Sequence, residues 1–380
     1  MQVMQTTVRS IHMLPQAVEP LARITPDLWL VFASTTLISS DTLSNMLRDA
    51  APGAAIVGCS TAGEIDADGV DDASCVVTAL RFERSRLQVV SAPLSSMAAS
   101  RETGAGLGRA LAGPELRAVL VLAPGLAING SALVQGIVDA VGTDVPVVGG
   151  LAGDDGAFER TFTLGPAGAT DHAVIAIGLY GDAIRFGYGS YGGWLPFGPA
   201  RKVTRADNNI LYELDGEPAL EVYKRYLGDY AAQLPSSGLL FPFAMLDRDE
   251  DESGLIRTIL GVDEATGSLT LAGEIVEDGY LKLMHASTDR LVSGAESAAS
   301  AVEGLTDVRG GRFALLVSCV GRKLIMGSRT EEEVEAVRDV LGPETVIAGF
   351  YSNGEISPFK PHGVCRLHNQ TMTVAAFGEA

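Results

Sequence analysis

The sequence is short of positive charge. Its 28 lysine and arginine residues face 47 aspartate and glutamate residues, which gives a formal net charge of −19 at pH 7. A protein this acidic repels phosphate backbones and anionic lipid head groups. We therefore expect neither nucleic acid nor a membrane surface as a partner.

Long apolar runs are also missing. The most apolar stretch, residues 118–128, is interrupted by Pro124 and Gly125 and is far shorter than the roughly 20 residues that a membrane-spanning helix needs. The N-terminal residues contain no continuous apolar segment of the kind found in a secretory signal. Because 47% of the residues are nevertheless hydrophobic, the sequence predicts a soluble, cytoplasmic protein with a large packed core.

Cysteines and metal-binding motifs are scarce. The four cysteines form no CxxC pair, and the five histidines form no HExxH or other zinc spacing. Widely spaced cysteines are typical of reduced thiols in a cytosol. The absence of GxxxxGK[ST] and of a helix-opening GxGxxG gives no support to nucleotide binding. A non-covalent haem needs only one imidazole or thiolate in an apolar pocket, so haem stays open.

The sequence does contain a repeated pattern. An apolar run, a helical stretch, a second apolar run, a glycine-rich turn and a closing apolar run follow one another in residues 28–82, 117–181 and 312–378. The first and third copies also share letters without gaps, since Gly58, Thr61, Gly63, Glu64 and Ile65 align on Gly349, Ser352, Gly354, Glu355 and Ile356. We expect an α/β fold, in which repeated strand–helix–strand–turn–strand units form mixed sheets covered by helices.

The segment before the third copy has a different pattern. Residues 203–214 and 255–284 predict β-hairpins with turns at 207–209 and 265–267, and two helices are expected near 219–227 and 288–305. We therefore predict a hairpin-rich insertion, with exposed linkers at 234–238 and 247–252 and a domain boundary near residue 218. In the third copy, Thr330 and Glu333 predict a capping box at the start of a helix.

The glycine-rich turns are candidate binding loops, because each carries an acid after its last glycine. Such loops at the carboxyl ends of strands let backbone amides approach a ligand. We expect the three turns to meet around a shared recess. The carboxylates would bind a ligand amine or hydroxyl, or would only cap neighbouring structure; both readings stay open. The candidate ligand-binding residues of the turns are Ser60, Thr61, Gly63, Glu64, Gly150, Asp154, Tyr351, Ser352 and Glu355.

Cys319 and Arg322 follow an apolar strand and are further candidate ligand-binding residues. The guanidinium could pair with a ligand carboxylate and lower the pKa of the thiol, or it could be a salt-bridged arginine beside a buried cysteine. A cysteine-dependent enzyme with Cys319 or Cys59 as nucleophile is the alternative function, although no histidine is close in sequence. Residues 186–194 alternate aromatics with glycines, which favours a twisted strand edge over a pocket wall.

Several of these motifs together resemble the FIST family. Residues 57–65, 147–155, 203–223, 317–322, 349–358 and 368–373 are similar, in the same order, to successive signatures of that family. The resemblance implies a FIST N-terminal domain over 28–218, and a FIST C-terminal domain over 219–362 with a closing strand in 363–380. It also implies a sensory role in intracellular signal transduction, not a metabolic enzyme, with an amino acid or a similar small metabolite as the ligand.

The chain also resembles nitric-oxide-sensing haem proteins of the NosP type within this family. That resemblance implies haem as a cofactor and a separate histidine kinase as the regulated partner. No motif fixes an axial ligand. His368 lies inside a family-like stretch and His362 just outside one, so these two histidines are the candidate haem ligands.

Overall fold

The computed structural model describes residues 1–246, 252–359 and 363–380. The first copy of the repeat begins at the N terminus, one strand and one helix earlier than the sequence pattern indicated. Its elements are β1 Gln2–Val8, α1 Leu14–Ala22, β2 Leu28–Ala33, α2 Thr35–Ile38, α3 Asp41–Ala50, β3 Ala55–Ser60, β4 Glu64–Asp66, β5 Gly69–Asp71 and β6 Cys75–Arg81.

The second copy repeats this order. Its long helix α5 starts where the side chain of Asn129 accepts a hydrogen bond from the amide of Ala132 at 2.9 Å, and it ends at Gly142, whose φ is +90°. The elements are β7 Arg86–Pro93, α4 Ser100–Leu111, β8 Leu116–Ala123, α5 Gly130–Val141, β9 Val147–Leu151, β10 Thr163–Gly165, β11 Gly168–Thr170 and β12 Ala173–Tyr180.

The third copy starts with strand β13, Ile184–Tyr191, and is then interrupted by the predicted insertion. The insertion contains β14 Leu195–Pro196, β15 Arg201–Asp207, β16 Ile210–Leu214, β17 Glu217–Pro218, α6 Ala219–Leu227, β18 Phe243–Leu246, β19 Glu252–Arg257, β20 Ile259–Asp263, β21 Ser268–Leu271 and β22 Tyr280–His285. The copy then resumes with α7 Thr288–Ser300, β23 Arg312–Cys319, α8 Val320–Met326, α9 Glu331–Leu341, β24 Thr345–Ser352, β25 Gly354–Pro358, β26 Cys365–His368 and β27 Met372–Glu379.

Each copy contributes four strands to a six-stranded sheet, and a hairpin from another copy supplies the remaining two strands. The strand orders are β1-β6-β2-β3-β10-β11, β7-β12-β8-β9-β25-β26 and β13-β27-β23-β24-β4-β5. Thus the hairpin after the first turn joins the third sheet, the hairpin after the second turn joins the first, and the hairpin after the third joins the second. This cyclic exchange ties the three copies together and brings their turns to one place.

Three equivalent glycines mark the repeat in the strands that precede the turns. A Cβ on Gly58 would lie 2.0 Å from the carbonyl oxygen of Val31, and one on Gly349 would lie 2.0 Å from that of Leu316. A Cβ on Gly149 would lie 1.9 Å from the carbonyl oxygen of Val121. Each copy therefore needs glycine where β3, β9 or β24 passes its parallel neighbour β2, β8 or β23.

The inner faces of the three sheets share one apolar core, which includes Phe32, Val148 and Phe350. The rings of Phe32 and Phe350 stack with centroids 4.8 Å apart. Helices α1 and α3, α4 and α5, and α7 and α9 cover the outer faces through separate apolar layers. The predicted α/β fold of helix-covered mixed sheets is confirmed.

The insertion forms a fourth, nine-stranded sheet that spans residue 218, with the central order β19-β18-β22-β15-β16-β21-β20. The predicted turns at 207–209 and 265–267 join β15 to β16 and β20 to β21, and helix α6 has the predicted bounds. The helix expected to reach residue 305 ends at Ser300. Of the predicted linkers, 234–238 overlaps a short 3₁₀ helix, Ser236–Leu240, and most of 247–252 is outside the described residues.

The predicted capping box is wrong. The side chain of Thr330 makes no cap to α9 and instead donates to the carbonyl of Gly327 at 2.6 Å. Glu333 is fully buried and points inward to other partners. Among the described residues, no helix is both long and apolar enough to cross a bilayer.

Candidate functional site

The three turns meet, as expected, but they contact one another directly. The amide of Ala62 donates to the carbonyl of Tyr351 at 2.8 Å, and the amide of Tyr351 donates to that of Gly63 at 2.9 Å. The amide of Gly153 donates to Ser60 at 2.9 Å, and a Cβ on Gly153 would lie 2.6 Å from the nitrogen of Ala62. The recess expected between all three turns is therefore filled by their own backbones.

The acids of the first and third turns are held by the turns themselves. One carboxylate oxygen of Glu64 accepts from the hydroxyl of Thr61, and the other from the amide and hydroxyl of Ser74 at 2.8 and 2.9 Å. Glu64 is 2% exposed. Burial raises the pKa of Glu64 to about 7, although its hydrogen bonds act in the opposite direction.

Glu355 repeats this arrangement in the third turn. Its carboxylate accepts from the hydroxyl of Ser352 at 3.0 Å, and from the amide and hydroxyl of Thr371 at 3.0 and 2.9 Å. Burial raises the pKa of Glu355 to about 7 as well. In the structure both carboxylates stabilise their turns, which is the capping alternative left open by the sequence.

The second turn uses its acid in another way. Asp154 accepts hydrogen bonds from the amides of Phe158, Glu159 and Arg160 at 3.0, 2.7 and 3.0 Å. This carboxylate therefore orders the loop that leads to β10. Gly150 lies inside β9, where a Cβ would meet the side chain of Val317 at 2.7 Å.

Arg322 and Glu333 form a fully buried ion pair, and Tyr351 is hydrogen-bonded to Glu333. The guanidinium donates to the carboxylate of Glu333 at 2.7 and 3.1 Å and to the carbonyl of Gly192 at 2.6 Å. The second oxygen of Glu333 accepts from the hydroxyls of Ser318 and Tyr351 at 2.8 and 2.6 Å. Sequence reasoning missed Glu333, because its spacing from Thr330 is that of a capping box.

The cysteines are enclosed. Cys59 and Cys319 are 0% and 4% exposed, and burial raises the pKa of both thiols. Arg322 lowers the pKa of Cys319 only as a minor contribution. Both thiols are therefore protonated near neutral pH, which does not favour the nucleophile alternative.

His368 lies in β26 and is fully buried. Its Nε2 atom is 2.9 Å from the carbonyl oxygen of Ser357, and its ring stacks on Phe359 with centroids 5.6 Å apart. Its Nδ1 atom has no hydrogen-bond partner among the described residues. Burial lowers the pKa of His368 to about 4, so the imidazole is neutral. His362 lies outside the described residues.

The described residues around His368 do not fit a haem, because the imidazole is fully buried and stacked on Phe359. Phe359 covers the imidazole on one side and also lines a cavity of about 180 Å³, while a cavity of ~150 Å³ is already filled by benzene. A porphyrin, with its four pyrrole rings, does not fit there. Among the described residues, no group of three or more His, Cys, Asp and Glu side chains could hold a metal ion.

An open polar cleft of about 390 Å³ lies beside the first turn. It forms at the carboxyl ends of the parallel strands β2 and β3, which is where α/β sheets usually bind ligands. Three of the predicted residues line it together: Thr61, Gly63 and Glu64. The remaining lining residues are Arg9, Ser34, Thr35, Thr36, Leu37, Asp72, Ala73 and Asp155.

Lys323 reaches this cleft from the third copy. Its ammonium donates to the carbonyl of Ala62 at 2.8 Å, pairs with Asp72, and lies 3.8 Å from Asp155. The side chain passes over Gly63, where a Cβ would be 2.8 Å from Nζ. The cleft is thus lined by the first copy and by Asp155 of the second, and Lys323 of the third copy pairs with two of its lining carboxylates. Among the described lining residues, carboxylates outnumber cations.

Two family models match nearly the whole chain. The FIST N domain matches residues 27–217 and the FIST C domain matches residues 219–358. This chain, an α/β protein with a polar cleft at its strand ends, therefore belongs to the FIST family. FIST domains are associated with sensory signal transduction and with the binding of small ligands.

Individual proteins are more distant. An uncharacterized protein of Methanocaldococcus jannaschii is 24% identical over 220 residues, which cover 53% of this chain and 41% of that protein. The chain therefore spans less than half the length of this relative. A crystal structure of cyanuric acid hydrolase from A. caulinodans aligns over 100% of this chain and 99% of the hydrolase, with 10% identity and a TM-score of 0.39. A similarity of that size says nothing about activity.

Proposed function

We propose that this protein is a cytoplasmic ligand-binding sensor, which binds a small polar molecule in the first-turn cleft and has no catalytic role. The observation that carries the proposal is the excess of carboxylates in the cleft: among the described lining residues, Glu64, Asp72 and Asp155 stand against one cation, Arg9. The ligand class that complements it is a metabolite with an ammonium or hydroxyl group, such as an amino acid.

The charges of the cleft support this ligand class. A buried carboxylate is stabilised when a cation comes close, because burial otherwise favours its protonated form. Asp72 and Asp155 stand at the rim, 61% and 81% exposed, and attract a cation from solution. Lys323 and Arg9 are the groups that would meet a ligand carboxylate.

The construction of the cleft supports a signalling role. Its walls come from the first copy and from Asp155 of the second. Because Lys323 of the third copy pairs with Asp72 and Asp155, a ligand that contacts these two carboxylates competes with the ion pairs that tie the third copy to the other two. A ligand changes a conformational equilibrium by its different affinity for the two states. We propose that a separate histidine kinase, the partner implied by the family resemblance, responds to this change.

Calorimetric and thermal-shift titrations with amino acids, polyamines and small polyols test the proposal. A ligand present at ~100 times its dissociation constant should stabilise the folded state by about 2.7 kcal/mol. The variant with Asp72→Asn and Asp155→Asn should bind such a ligand more weakly and should still fold, because both side chains are exposed. Asp68→Asn, also exposed but outside the cleft, is the matched control.

The outcomes separate the alternatives. Binding that is weakened by the double variant and unchanged in the control supports the cleft. Binding that is equal in all three proteins places the ligand elsewhere. A melting temperature that no small molecule changes contradicts the sensor and favours a purely structural interaction module.

A further inference from the structure

A second cavity, which is partly open to solvent, lies between the third sheet and the insertion. Its volume is about 180 Å³. Part of the lining is the end of β13 and the residues after it, and part comes from β18, β19 and β22. Phe359 follows β25 and Thr371 precedes β27, and these two residues complete the lining. Its principal lining side chains are Tyr191, Trp194, Met245, Met284, Phe359 and Thr371.

The aromatic wall is held rigidly. The indole nitrogen of Trp194 donates to the carbonyl of Gln370 at 2.8 Å, and Arg322 donates to the carbonyl of Gly192 at 2.6 Å. The rings of Tyr191 and Phe359 lie 6.1 Å apart at 37°. Side chains fixed in this way form a preformed pocket and not a void that collapses. The segment expected to be only a twisted strand edge is therefore also a pocket wall.

None of the described residues that line the cavity has a charged side chain. A charged ligand would lose its hydration there without gaining a partner, which is unfavourable. The volume is slightly larger than the ~150 Å³ of a cavity that holds benzene. Flat walls of Trp, Tyr and Phe favour a flat ligand, since aromatic rings pack best in stacked or edge-to-face arrangements.

The hydroxyl group of Thr371 narrows the choice of ligand further. The hydroxyl of Thr371 donates its proton to Glu355 at 2.9 Å, and Thr371 is almost fully buried. While Glu355 is ionised, that proton is used and the hydroxyl oxygen can only accept from a ligand. A ligand with one N–H or O–H group complements it.

We propose that this cavity is a second ligand site, which takes an uncharged single-ring aromatic or heteroaromatic molecule with one N–H or O–H group. The site is separate from the polar cleft and does not depend on the function proposed for it. Arg322 and Glu355 act here as positioning residues, because they hold Gly192 and Thr371 in the wall without contacting the ligand.

Three probes of similar size test the chemistry: phenol, toluene and cyclohexanol. Calorimetry should show one phenol per chain, and the emission of Trp194 should change on binding. Toluene lacks the hydrogen bond and should bind about three- to tenfold more weakly. Cyclohexanol keeps the hydroxyl but is not flat, and it should also bind more weakly than phenol.

Two variants locate the site. Ala244→Leu adds bulk to a lining residue and should abolish phenol binding, while Ala265→Leu, at an exposed turn, should not. Trp194→Phe should remove the emission change and leave Trp29, the other tryptophan, insensitive to phenol. If Ala244→Leu does not fold, the Trp194 signal and the order of the three probes still decide the question.

Three results overturn the proposal: no probe binds up to its solubility limit, cyclohexanol binds as tightly as phenol, or phenol binding survives in a folded Ala244→Leu protein. The Asp72→Asn and Asp155→Asn variant should bind phenol normally. A failure of the polar cleft therefore leaves this result unaffected, and the two proposals are tested separately.

Discussion

Glu64 and Glu355 occupy the same position in the first and third copies, and their carboxylates make the same set of hydrogen bonds. Each accepts from a hydroxyl three residues earlier, Thr61 or Ser352, and from the amide and hydroxyl of one later residue, Ser74 or Thr371. The pKa of each is raised to about 7 by burial. The duplication has thus preserved a stabilising unit, of which only the first-turn example lines the polar cleft.

Glu355 should make folding pH-dependent. Its pKa is about 7 in the folded chain against an ordinary value of 4.5, so between these values the folded state binds more protons than the unfolded state. The contribution to the free energy of unfolding is therefore present below pH 4.5 and is lost as pH rises to 7. The size is on the order of 3 kcal/mol.

Urea unfolding from pH 4.5 to pH 8 checks this prediction for wild type and Glu355→Gln. The difference in the free energy of unfolding between the two proteins should change over this range and level off only as pH approaches 8, above the folded-state pKa of Glu355. Glu277→Gln, an exposed control, should stay parallel to wild type. Parallel curves for Glu355→Gln would show that the carboxylate titrates normally.

The buried pair between Arg322 and Glu333 should be sensitive to the loss of one partner. Arg322→Met leaves the Glu333 carboxylate buried without its cation, and such changes cost about 3–5 kcal/mol. Adding Glu333→Gln should recover part of this loss, because no buried charge remains. Arg329→Met, which removes an exposed ion pair, should have a much smaller effect in the same urea titration; equal effects would contradict a special role for the buried pair.

Gly63 should not tolerate a side chain. Its φ is +136°, and a Cβ would lie 2.8 Å from Nζ of Lys323 and 3.1 Å from the ring of Tyr351. Gly63→Ala should lower the free energy of unfolding by more than about 1 kcal/mol. Gly53→Ala is the matched control, since a Cβ there meets nothing within 4 Å. Thermal denaturation of both variants checks this prediction, and Gly63→Ala should have the lower melting temperature. Equal melting temperatures would contradict it and would show that the turn can adjust to a side chain.

The thiols should be inert in the folded protein. Burial raises the pKa of Cys59 and Cys319 and shields them from reagents. Iodoacetamide at neutral pH should label none of the four cysteines, which are all buried, until the protein is unfolded. Mass spectrometry of the labelled protein measures this directly. Fast, selective labelling of one thiol would instead revive the cysteine-dependent enzyme.

The repeat and most elements were predictable, because strands, helix faces and glycine turns leave local periodic patterns. The repeated pattern also predicted that the three glycine-rich turns lie close together. The cyclic exchange of hairpins was not predictable from it, since the partner of a hairpin such as Glu64–Asp66 is chosen by tertiary packing. The first strands of the first two copies were missed for a similar reason: β1 pairs along its whole length with β6, but its sequence is only partly apolar.

The candidate site was partly predictable. Thr61, Gly63 and Glu64 line the cleft, but Lys323 reaches it from a distant part of the chain, and no local signal shows that. Arg322 was singled out correctly as a group that needs a carboxylate, yet its partner is Glu333 and not a ligand. The aromatic cavity joins residues near 191 with residues near 371, so its shape depends on the fold alone.

The most direct test of the polar cleft is native mass spectrometry of freshly purified protein, followed by identification of the released molecule. We expect one small molecule with an amine or hydroxyl group on the wild-type chain and on Asp68→Asn, and its loss from the Asp72→Asn and Asp155→Asn variant. Full occupancy of that double variant by the same molecule would contradict a ligand site at the first turn.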